Sequence, residues 1–313
     1  MSTASYNCPC CCGGPLKFSG ESGKLECTAC GNNYEPEALE MMTPEESIDE
    51  ITFANDAKRF DTGEAGMRAY FCKNCGAELM ADETAAAECP YCGSPTILPG
   101  RIEDGVKPEK VIPFVVSKEQ AQNYFKGKKL LPNVFLNSRN RISEMRRLYI
   151  PYWLFSCDAC ADMVYDAEKV HTEQKGEWEI NRTKHYLVRR RGGMRFENIP
   201  VDGSVKMDDK LTESLEPYDL SAAIPFQSAV LAGAMADHAD ADCDACEKRA
   251  VERSVEQTML DTVRDYDTVS ERSRRIIAER GSATPALLPV WLMTTVKEGK
   301  TYTFAVNGQT GKL

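Results

Sequence analysis

Close cysteine pairs crowd the first hundred residues, and they constrain the fold of this 313-residue chain more than any other feature. Ten of its 14 cysteines lie there. Cys8-Pro-Cys-Cys-Cys12-Gly13 is answered by Cys27-Thr-Ala-Cys30-Gly31, and Cys72-Lys-Asn-Cys75-Gly76 by Cys89-Pro-Tyr-Cys92-Gly93. A thiolate is a soft, anionic ligand, and four of them close a tetrahedral structural site with no position left for water. A Cys-x-x-Cys-Gly turn aims backbone amides at its sulfurs, while the glycine takes the positive φ that follows the second ligand. Two facing turns make a zinc ribbon. The spacing therefore predicts one Zn2+ on Cys8, Cys11, Cys27 and Cys30, and another on Cys72, Cys75, Cys89 and Cys92. Cys12, the cysteine followed by glycine, is the alternative to Cys11. Iron is the alternative metal for the same thiolates.

The remainder of the composition says where such sites belong. Met1 to Asn7 has neither a basic region nor an apolar core, so no export signal is read there. No stretch approaches the roughly 18 to 20 uncharged apolar residues of a membrane-spanning helix. Cysteine pairs in a chain of this kind read as metal ligands rather than disulfides, and a reducing cytoplasm is the expected setting. Residues 1 to 100 hold 6 Lys and Arg against 16 Asp and Glu, while the remainder holds 32 of each sign, so the whole net charge of -10 lies on the ribbons and their linker.

The pattern along the chain predicts ribbon 1 over 1–40, an acidic helical linker over 41–66, ribbon 2 over 67–100 and an α+β body over 101–313. Thr43-Pro-Glu-Glu46 has a capping residue, proline at the first helical position and glutamate three residues on, so a short helix is expected to open at Thr43. The body reads as an internal duplication, with halves at about 108–205 and 220–313. Val111-Ile-Pro-Phe114 recurs as Ala223-Ile-Pro-Phe226, and each is expected to precede a helix, over Ser117 to Gly127 and over Ser228 to His238. Tyr149-Ile-Pro-Tyr-Trp-Leu-Phe155 recurs as Leu287-Leu-Pro-Val-Trp-Leu-Met293, each followed by a hairpin. The longest helix is predicted over Glu247 to Tyr266, with Val251, Val255, Met259 and Val263 as its core stripe. Arg189-Arg-Arg-Gly-Gly193 reads as a hairpin turn.

Outside the ribbons, chemistry is sparse. Arg189, Arg190, Arg191 and Arg195 form the one dense basic cluster, a weak anion-binding candidate. Cys157-Asp-Ala-Cys160 and Cys243-Asp-Ala-Cys246 repeat one tetrapeptide and could make a third four-thiolate site, although neither has the following glycine of a standard turn. The alternatives for these four are free thiols or a redox disulfide. His171, His185 and His238 sit in no metal or nucleophile motif. Neither Gly20 to Lys24 nor Gly308 to Leu313 has the spacing of a phosphate loop, so no ATPase is read.

Several motifs together resemble the bacterial TFIIB-type zinc-ribbon proteins: the Cys-Pro-x-Cys start, Tyr149 to Phe155, Pro200-Val-Asp-Gly-Ser204, Met207-Asp-Asp209, Glu216-Pro-Tyr218, Leu288-Pro-Val-Trp-Leu292, Thr301-Tyr-Thr-Phe304 and Asn307-Gly-Gln-Thr-Gly311. The match covers nearly the whole chain. Members are often labelled primosomal or replication helicases, a label the missing nucleotide loop does not support. Others continue past the position of Gly311 into hydrophobic membrane segments and are encoded beside SPFH-domain proteins. The resemblance thus implies SPFH-type, membrane-associated protein partners, and membrane association through a partner or a further C-terminal segment. Members carry an aspartate-rich stretch around the positions of Cys157 and Cys243, where this chain departs.

The expectation is a non-catalytic, zinc-binding scaffold that binds protein partners. An acidic ribbon region, made more negative by about -2 for each zinc with four thiolates, repels phosphate and makes nucleic acid an unfavourable ligand. The alternatives are a nucleic-acid-binding ribbon protein of replication or transcription, which rests on fold analogy alone, and a thiol oxidoreductase using the Cys-Asp-Ala-Cys pairs.

Overall fold

The computed structural model describes residues 8, 15–41, 47–60, 68–81, 88–94, 97–100, 105–127, 145–297 and 300–313. They form a mixed α+β structure, mostly sheet with a few helices. The chain makes two compact units of three segments each: Met1–Ile51, Ala159–Met194 and Val255–Ala278 in unit 1, and Thr52–Asp158, Arg195–Ser254 and Glu279–Leu313 in unit 2. This division cuts across the linear series of ribbon, linker, ribbon and body. Very long strands, each shared by both units, are the reason.

Unit 1 opens with a three-stranded antiparallel sheet, β1 (Leu16–Phe18), β2 (Leu25–Cys27) and β3 (Asn33–Tyr34), in which Leu16 faces Cys27 and Leu25 faces Tyr34. A short helix α1 (Pro36–Met41) follows. Where a helical linker is expected, residues 48–54 instead form a strand, β4 (Ile48–Ala54), that pairs with β13 (Thr268–Lys297). Thr43 itself lies outside the described residues. In β4 the inward residues Ile51 and Phe53 alternate with exposed ones, and this two-residue period is the one that sheet pairing uses.

The sequence of unit 2 places β5 (Arg68–Cys72), β6 (Glu78–Ala81) and β7 (Ile97–Gly100) before β8 (Lys110–Val111) and helix α2 (Lys118–Gly127). Then come β9 (Arg146–Lys175), β10 (Trp178–Asp202), the short helix α3 (Asp209–Ser214), β11 (Ile224–Pro225) and β12 (Met235–Asp237). Helix α4 (Cys243–Val251), a π turn over Glu252–Glu256 and helix α5 (Gln257–Asp261) lead into β13 and β14 (Lys300–Asn307). The strand order is β11-β8-β13-β9-β12-β6-β5-β7, with β10 on β9 and β14 on β13. Ribbon 2 is therefore no separate bead. Its β6 pairs antiparallel with β12, which runs parallel to β9, and its apolar side joins Leu148, Ile150, Tyr152 and Leu154 in one core.

Further expectations shift for local reasons. Arg189 to Gly193 is no turn, because β10 runs unbroken through it; the reversal comes at Gly176, whose φ is 68°. Ser228 to His238 is not a helix but a 3-10 turn over Ser228–Leu231 followed by β12. The long helix is present with its core stripe: Val251, Val255, Met259 and Val263 are all buried. At 3.6 residues per turn, each four-residue step of that stripe over-rotates by about 40°. The wider π turn takes the drift back, and Ser254 helps open it by donating to the Ala250 carbonyl at 2.6 Å.

The two sequence repeats at 111 and 223 meet each other, as β8 pairs antiparallel with β11. A different recurrence joins the long strands. Pro151 O accepts from Gly203 N (2.9 Å), Gly203 O accepts from the amides of Asp240 and Ala241, and the Trp153 indole donates to Ala241 O. Likewise Pro289 O accepts from Gly308 N (2.8 Å), Gly308 O accepts from the amides of Val115 and Val116, and the Trp291 indole donates to Val116 O. A helix follows each time, α4 after Ala241 and α2 after Val116. β12 lies parallel to β9 as β8 lies parallel to β13.

Candidate metal centres

Three Cys-x-x-Cys-Gly turns are described, and all three fold alike. Cys27, Cys72 and Cys89 each donate their amide to the carbonyl five residues on, at 2.8 to 2.9 Å, and accept from the glycine four residues on, at 2.8 to 2.9 Å. Those glycines, Gly31, Gly76 and Gly93, have φ of 75°, 72° and 69°. Only glycine takes that conformation without the cost of roughly 1 to 2 kcal/mol that a Cβ imposes. The turn also points amides at sulfur: Ala29 N and Cys30 N lie 3.4 and 3.5 Å from Cys27 Sγ.

The sulfurs converge in two groups, Cys72, Cys75, Cys89 and Cys92, and Cys8, Cys27 and Cys30, with all ligand atoms of each group within 4.8 Å of one another. Cys11 and Cys12 lie outside the described residues. Three sulfur pairs sit 3.6 Å apart: Cys8 with Cys30, Cys72 with Cys92, and Cys75 with Cys89. A disulfide would need about 2.05 Å. A tetrahedron with metal–sulfur bonds of about 2.3 Å has edges of about 3.8 Å, so both groups fit one metal ion each.

The two centres differ in setting. Around the second, Cys72 and Cys89 have no solvent exposure, and burial pushes the Cys89 thiol up and the Cys75 thiol up to about 11. Burial acts on Cys92 too, but hydrogen bonds from the Asn74 side chain and the Ser94 backbone outweigh it and bring that thiol down to about 7. Capture of a metal ion must displace the remaining protons. Two cations stand against carbonyls of the ligand residues, Lys206 Nζ on Cys75 O (3.3 Å) and Arg146 Nη1 on Cys89 O (3.1 Å), where they offset the negative charge of a four-thiolate centre. Thr294 holds Pro90 O at 3.1 Å.

Beside this centre lies a buried polar network that the sequence analysis missed. Tyr91, between two of the ligands, donates to Asp237, as does the Ser204 hydroxyl. Asp202 accepts from Ser204 N (2.9 Å), while its other oxygen is buried without a hydrogen-bond partner. Burial, reinforced by Asp237, pushes the Asp202 carboxyl up to about 8, and burial pushes Asp237 up to about 6. The one available signal was the Val201-Asp-Gly-Ser204 motif; nothing local pointed to Asp237, 33 residues after Ser204. Because folding raises the Asp202 value, its protonated form is the one the fold favours. Its favourable contribution is complete below the ordinary aspartate range and is lost as pH rises through about 8. Asp202→Asn is expected to stabilise the protein more at pH 8.5 than near pH 5, by a difference of a few kcal/mol in order of magnitude. Paired urea titrations at the two pH values check this; a variant less stable than wild type at pH 8.5 would contradict it.

The remaining candidates are not brought together. Among the described residues no third group of thiols converges. Cys157 and Cys160 both lie in β9, where positions three apart face opposite sides, so Cys157 is buried and Cys160 exposed. They can neither chelate one ion nor form a disulfide. Cys243 and Cys246 share the first turn of α4, both buried, and burial pushes both thiols up to about 12, the reverse of what an attacking thiolate needs. The arginine cluster is answered by acids: Arg189 forks onto Asp162 (2.7 and 2.6 Å) and Arg195 onto Asp158 (2.6 and 3.1 Å), while Arg191 Nε lies 3.9 Å from Asp162 and Arg190 reaches only backbone carbonyls. A phosphate would have to displace those carboxylates. His171 and His185 are exposed, His185 beside Glu168 at 3.0 Å, and His238 Nε2 is buried without a hydrogen-bond partner.

The turn at the end of the chain copies these metal turns without a metal. Asn307 N donates to Lys312 O (2.8 Å), Gly311 N donates to Asn307 O (2.9 Å), and Gly311 has φ 78°. In the place of sulfur, Asn307 Oδ1 accepts from the amides of Gln309 (2.8 Å) and Thr310 (2.9 Å).

No protein-family model matches the sequence, and no solved structure matches it. Over 316 aligned residues it is 35% identical to the Bacillus subtilis (strain 168) protein YdjG, described as uncharacterized, covering 99% of this chain and 88% of that protein. No helix among the described residues is long and apolar enough to cross a membrane.

Proposed function

The chain belongs to the YdjG family, and from that premise we propose that it is a zinc-loaded, non-catalytic scaffold that binds protein partners through its acidic ribbon region. The observation that carries this reading is the closed set of four thiolates at Cys72, Cys75, Cys89 and Cys92, built into the core of unit 2. A set that fills all four tetrahedral positions leaves none for substrate or activated water, so the ion holds structure rather than reacting. Zinc is the natural occupant of such a site, two ions per chain, with iron distinguishable by its colour.

The charge supports a partner with a basic surface. Residues 1 to 100 carry the entire excess of acidic groups, and phosphate backbones are bound by cations that displace counterions, not by anions. The recurring hydrogen-bond set on β9 and β13 supports two related halves as the platform, with β12 and α4 serving one long hairpin as β8 and α2 serve the other. The resemblance to TFIIB-type ribbon proteins supports partners of the SPFH kind at a membrane.

The test pairs two measurements on the intact, zinc-loaded protein. Salt-titrated binding to DNA and RNA is expected to show no tight association at 50 to 200 mM salt. Affinity capture is expected to retain a basic protein partner that weakens when Glu21, Glu37 and Glu78, all exposed, are changed to glutamine. Tight nucleic-acid binding with a steep salt slope would overturn the scaffold reading in favour of its rival.

A further inference from the structure

The arginines of this fold are, with few exceptions, held by acids. Beyond Arg189 and Arg195, Arg249 meets Glu213, Arg253 meets Glu216, Arg272 meets Asp166 and Arg274 meets Asp49 and Glu256. Arg147 departs from this rule in an instructive way. Its guanidinium lies over the Phe114 ring, 4.5 Å from the centroid, and its Nε is buried with no hydrogen-bond partner. No carboxylate among the described residues pairs with it.

Arg147 lines a cleft of about 380 Å3 in unit 2, together with Lys118, Arg146 and Glu88. Arg146 is neutralised by Glu88. Arg147 is left without a paired carboxylate among the described residues, Lys118 adds a second positive charge that meets only its exposed neighbour Glu119, and the walls between them are apolar, from Met145, Met235 and Trp291. The volume falls within the range of small-molecule sites, which combine apolar walls with a few fixed polar groups. A guanidinium stacked on an aromatic ring keeps its edge donors free, and that planar fork matches the oxygens of a phosphate or carboxylate. The cation–ring contact also holds the fork in place before a ligand arrives.

We infer that this cleft binds a small organic dianion, a phosphate monoester on a compact apolar body, with Arg147 forked onto the oxyanion, Lys118 as the second charge and Trp291 and the two methionines against the apolar part. Such a site is separate from the metal centres and does not depend on the scaffold reading.

Phenyl phosphate titrated into the full, zinc-loaded chain is the direct probe, read by calorimetry and by the shift of the Trp291 indole N–H resonance. Phenyl phosphate is expected to bind at least tenfold more tightly than inorganic phosphate, which lacks the apolar body, and than benzoate, which lacks the second charge. Arg147→Gln is expected to weaken it tenfold or more, and Lys118→Gln several-fold. Arg147→Lys, which keeps the charge and loses the fork, is expected to fall between wild type and Arg147→Gln, and its melting curve guards against a folding defect. Arg191→Gln, a charge change in unit 1, is expected to change nothing. Absence of binding, equal affinity for the three probes, or unchanged affinity in a folded Arg147→Gln variant would each overturn the assignment.

Discussion

Replacing Cys89 by serine is expected to remove one bound metal ion per chain and to unfold unit 2. The hydroxyl is a poor fourth ligand, so metal affinity at the second centre collapses. Binding of a structural zinc contributes on the order of 10 to 16 kcal/mol of apparent free energy in small zinc-folded modules, against a net stability of about 5 to 15 kcal/mol for a whole domain. Here the module cannot unfold alone. Cys72, Ala77, Leu79 and Cys89 have no solvent exposure and lie in one core with Leu148, Ile150, Leu288 and Val290, and β6 is hydrogen-bonded to β12 along three residue pairs. Losing the ion leaves the three remaining thiols without a common partner and the Lys206 cation without the charge it faces. Cys30→Ser is the contrast. It removes a ligand from the first centre, in unit 1, where Cys30 is exposed, and is expected to lower the metal content by one while the unit 2 transition survives. Metal content by atomic absorption, with calorimetric scans of both variants, separates the cases. If Cys89→Ser melts like wild type, the second centre does not hold unit 2 together.

Why the metal ligands were legible and the rest only partly so comes down to range. A Cys-x-x-Cys-Gly turn is written in five consecutive residues, and its φ, its two backbone hydrogen bonds and its amide-to-sulfur contacts all follow from them. The core stripe from Val251 to Val263 was legible for the same reason. Cys157-Asp-Ala-Cys160 shows the limit: identical ligand spacing, but no glycine, and a backbone committed to β9, which turns two ligands into one buried and one exposed side chain. Whether such a pair bends or extends is decided by its neighbours in the sheet, not by the pair. Gly192-Gly193 misled in the opposite direction. The pair reads as a reversal, yet it lies within β10 with room for side chains, since a Cβ on Gly193 would meet Cys160 Sγ at an ordinary 3.8 Å and one on Gly192 would meet nothing within 4 Å.

The two Pro-x-Trp segments of the body are legible as strands, and their pairing is not. Both Pro-x-Trp segments, Pro151 to Trp153 and Pro289 to Trp291, were recognised as matching central strands. The Ile-Pro-Phe shared by Val111–Phe114 and Ala223–Phe226 suggests equivalent roles for those two segments. The hydrogen bonds choose otherwise: Val111 in β8 joins β13, and Ala236 in β12 joins β9, so each strand–helix pair serves a hairpin far away in the chain. In the second of these segments, Ala223–Phe226, residues Ile224–Pro225 form β11, which closes on β8. A pattern of residue types carries periodicity and turn chemistry; which strand a segment joins is set by long-range packing that no window of sequence contains.

Asn307→Ala is expected to be the most damaging substitution outside the metal ligands, at about 3 to 5 kcal/mol. Asn307 has no solvent exposure, and its side chain closes two structures at once. Oδ1 takes the amides of Gln309 and Thr310, as sulfur does in the metal turns, while Nδ2 donates to Leu215 O (2.9 Å) and Pro217 O (3.4 Å), pinning the turn to the loop after α3. Each such bond contributes roughly 1 kcal/mol net, and leaving its buried partner unsatisfied costs about 1 to 3 kcal/mol more. Alanine can restore none of the four. Aspartate keeps the acceptor but sets a carboxylate against the Leu215 carbonyl, so Asn307→Asp should be severely destabilised at pH 8 and partly rescued near pH 5, where a protonated acid can donate in place of the amide. Gln309→Ala, which leaves the backbone donor in place and removes only an exposed link to Asp219, is expected to cost about 1 kcal/mol or less. Urea midpoints of the four zinc-loaded proteins check the order. An Asn307→Ala variant within about 1 kcal/mol of wild type would mean that the turn holds without its side-chain centre, and that its likeness to the metal turns is one of backbone alone.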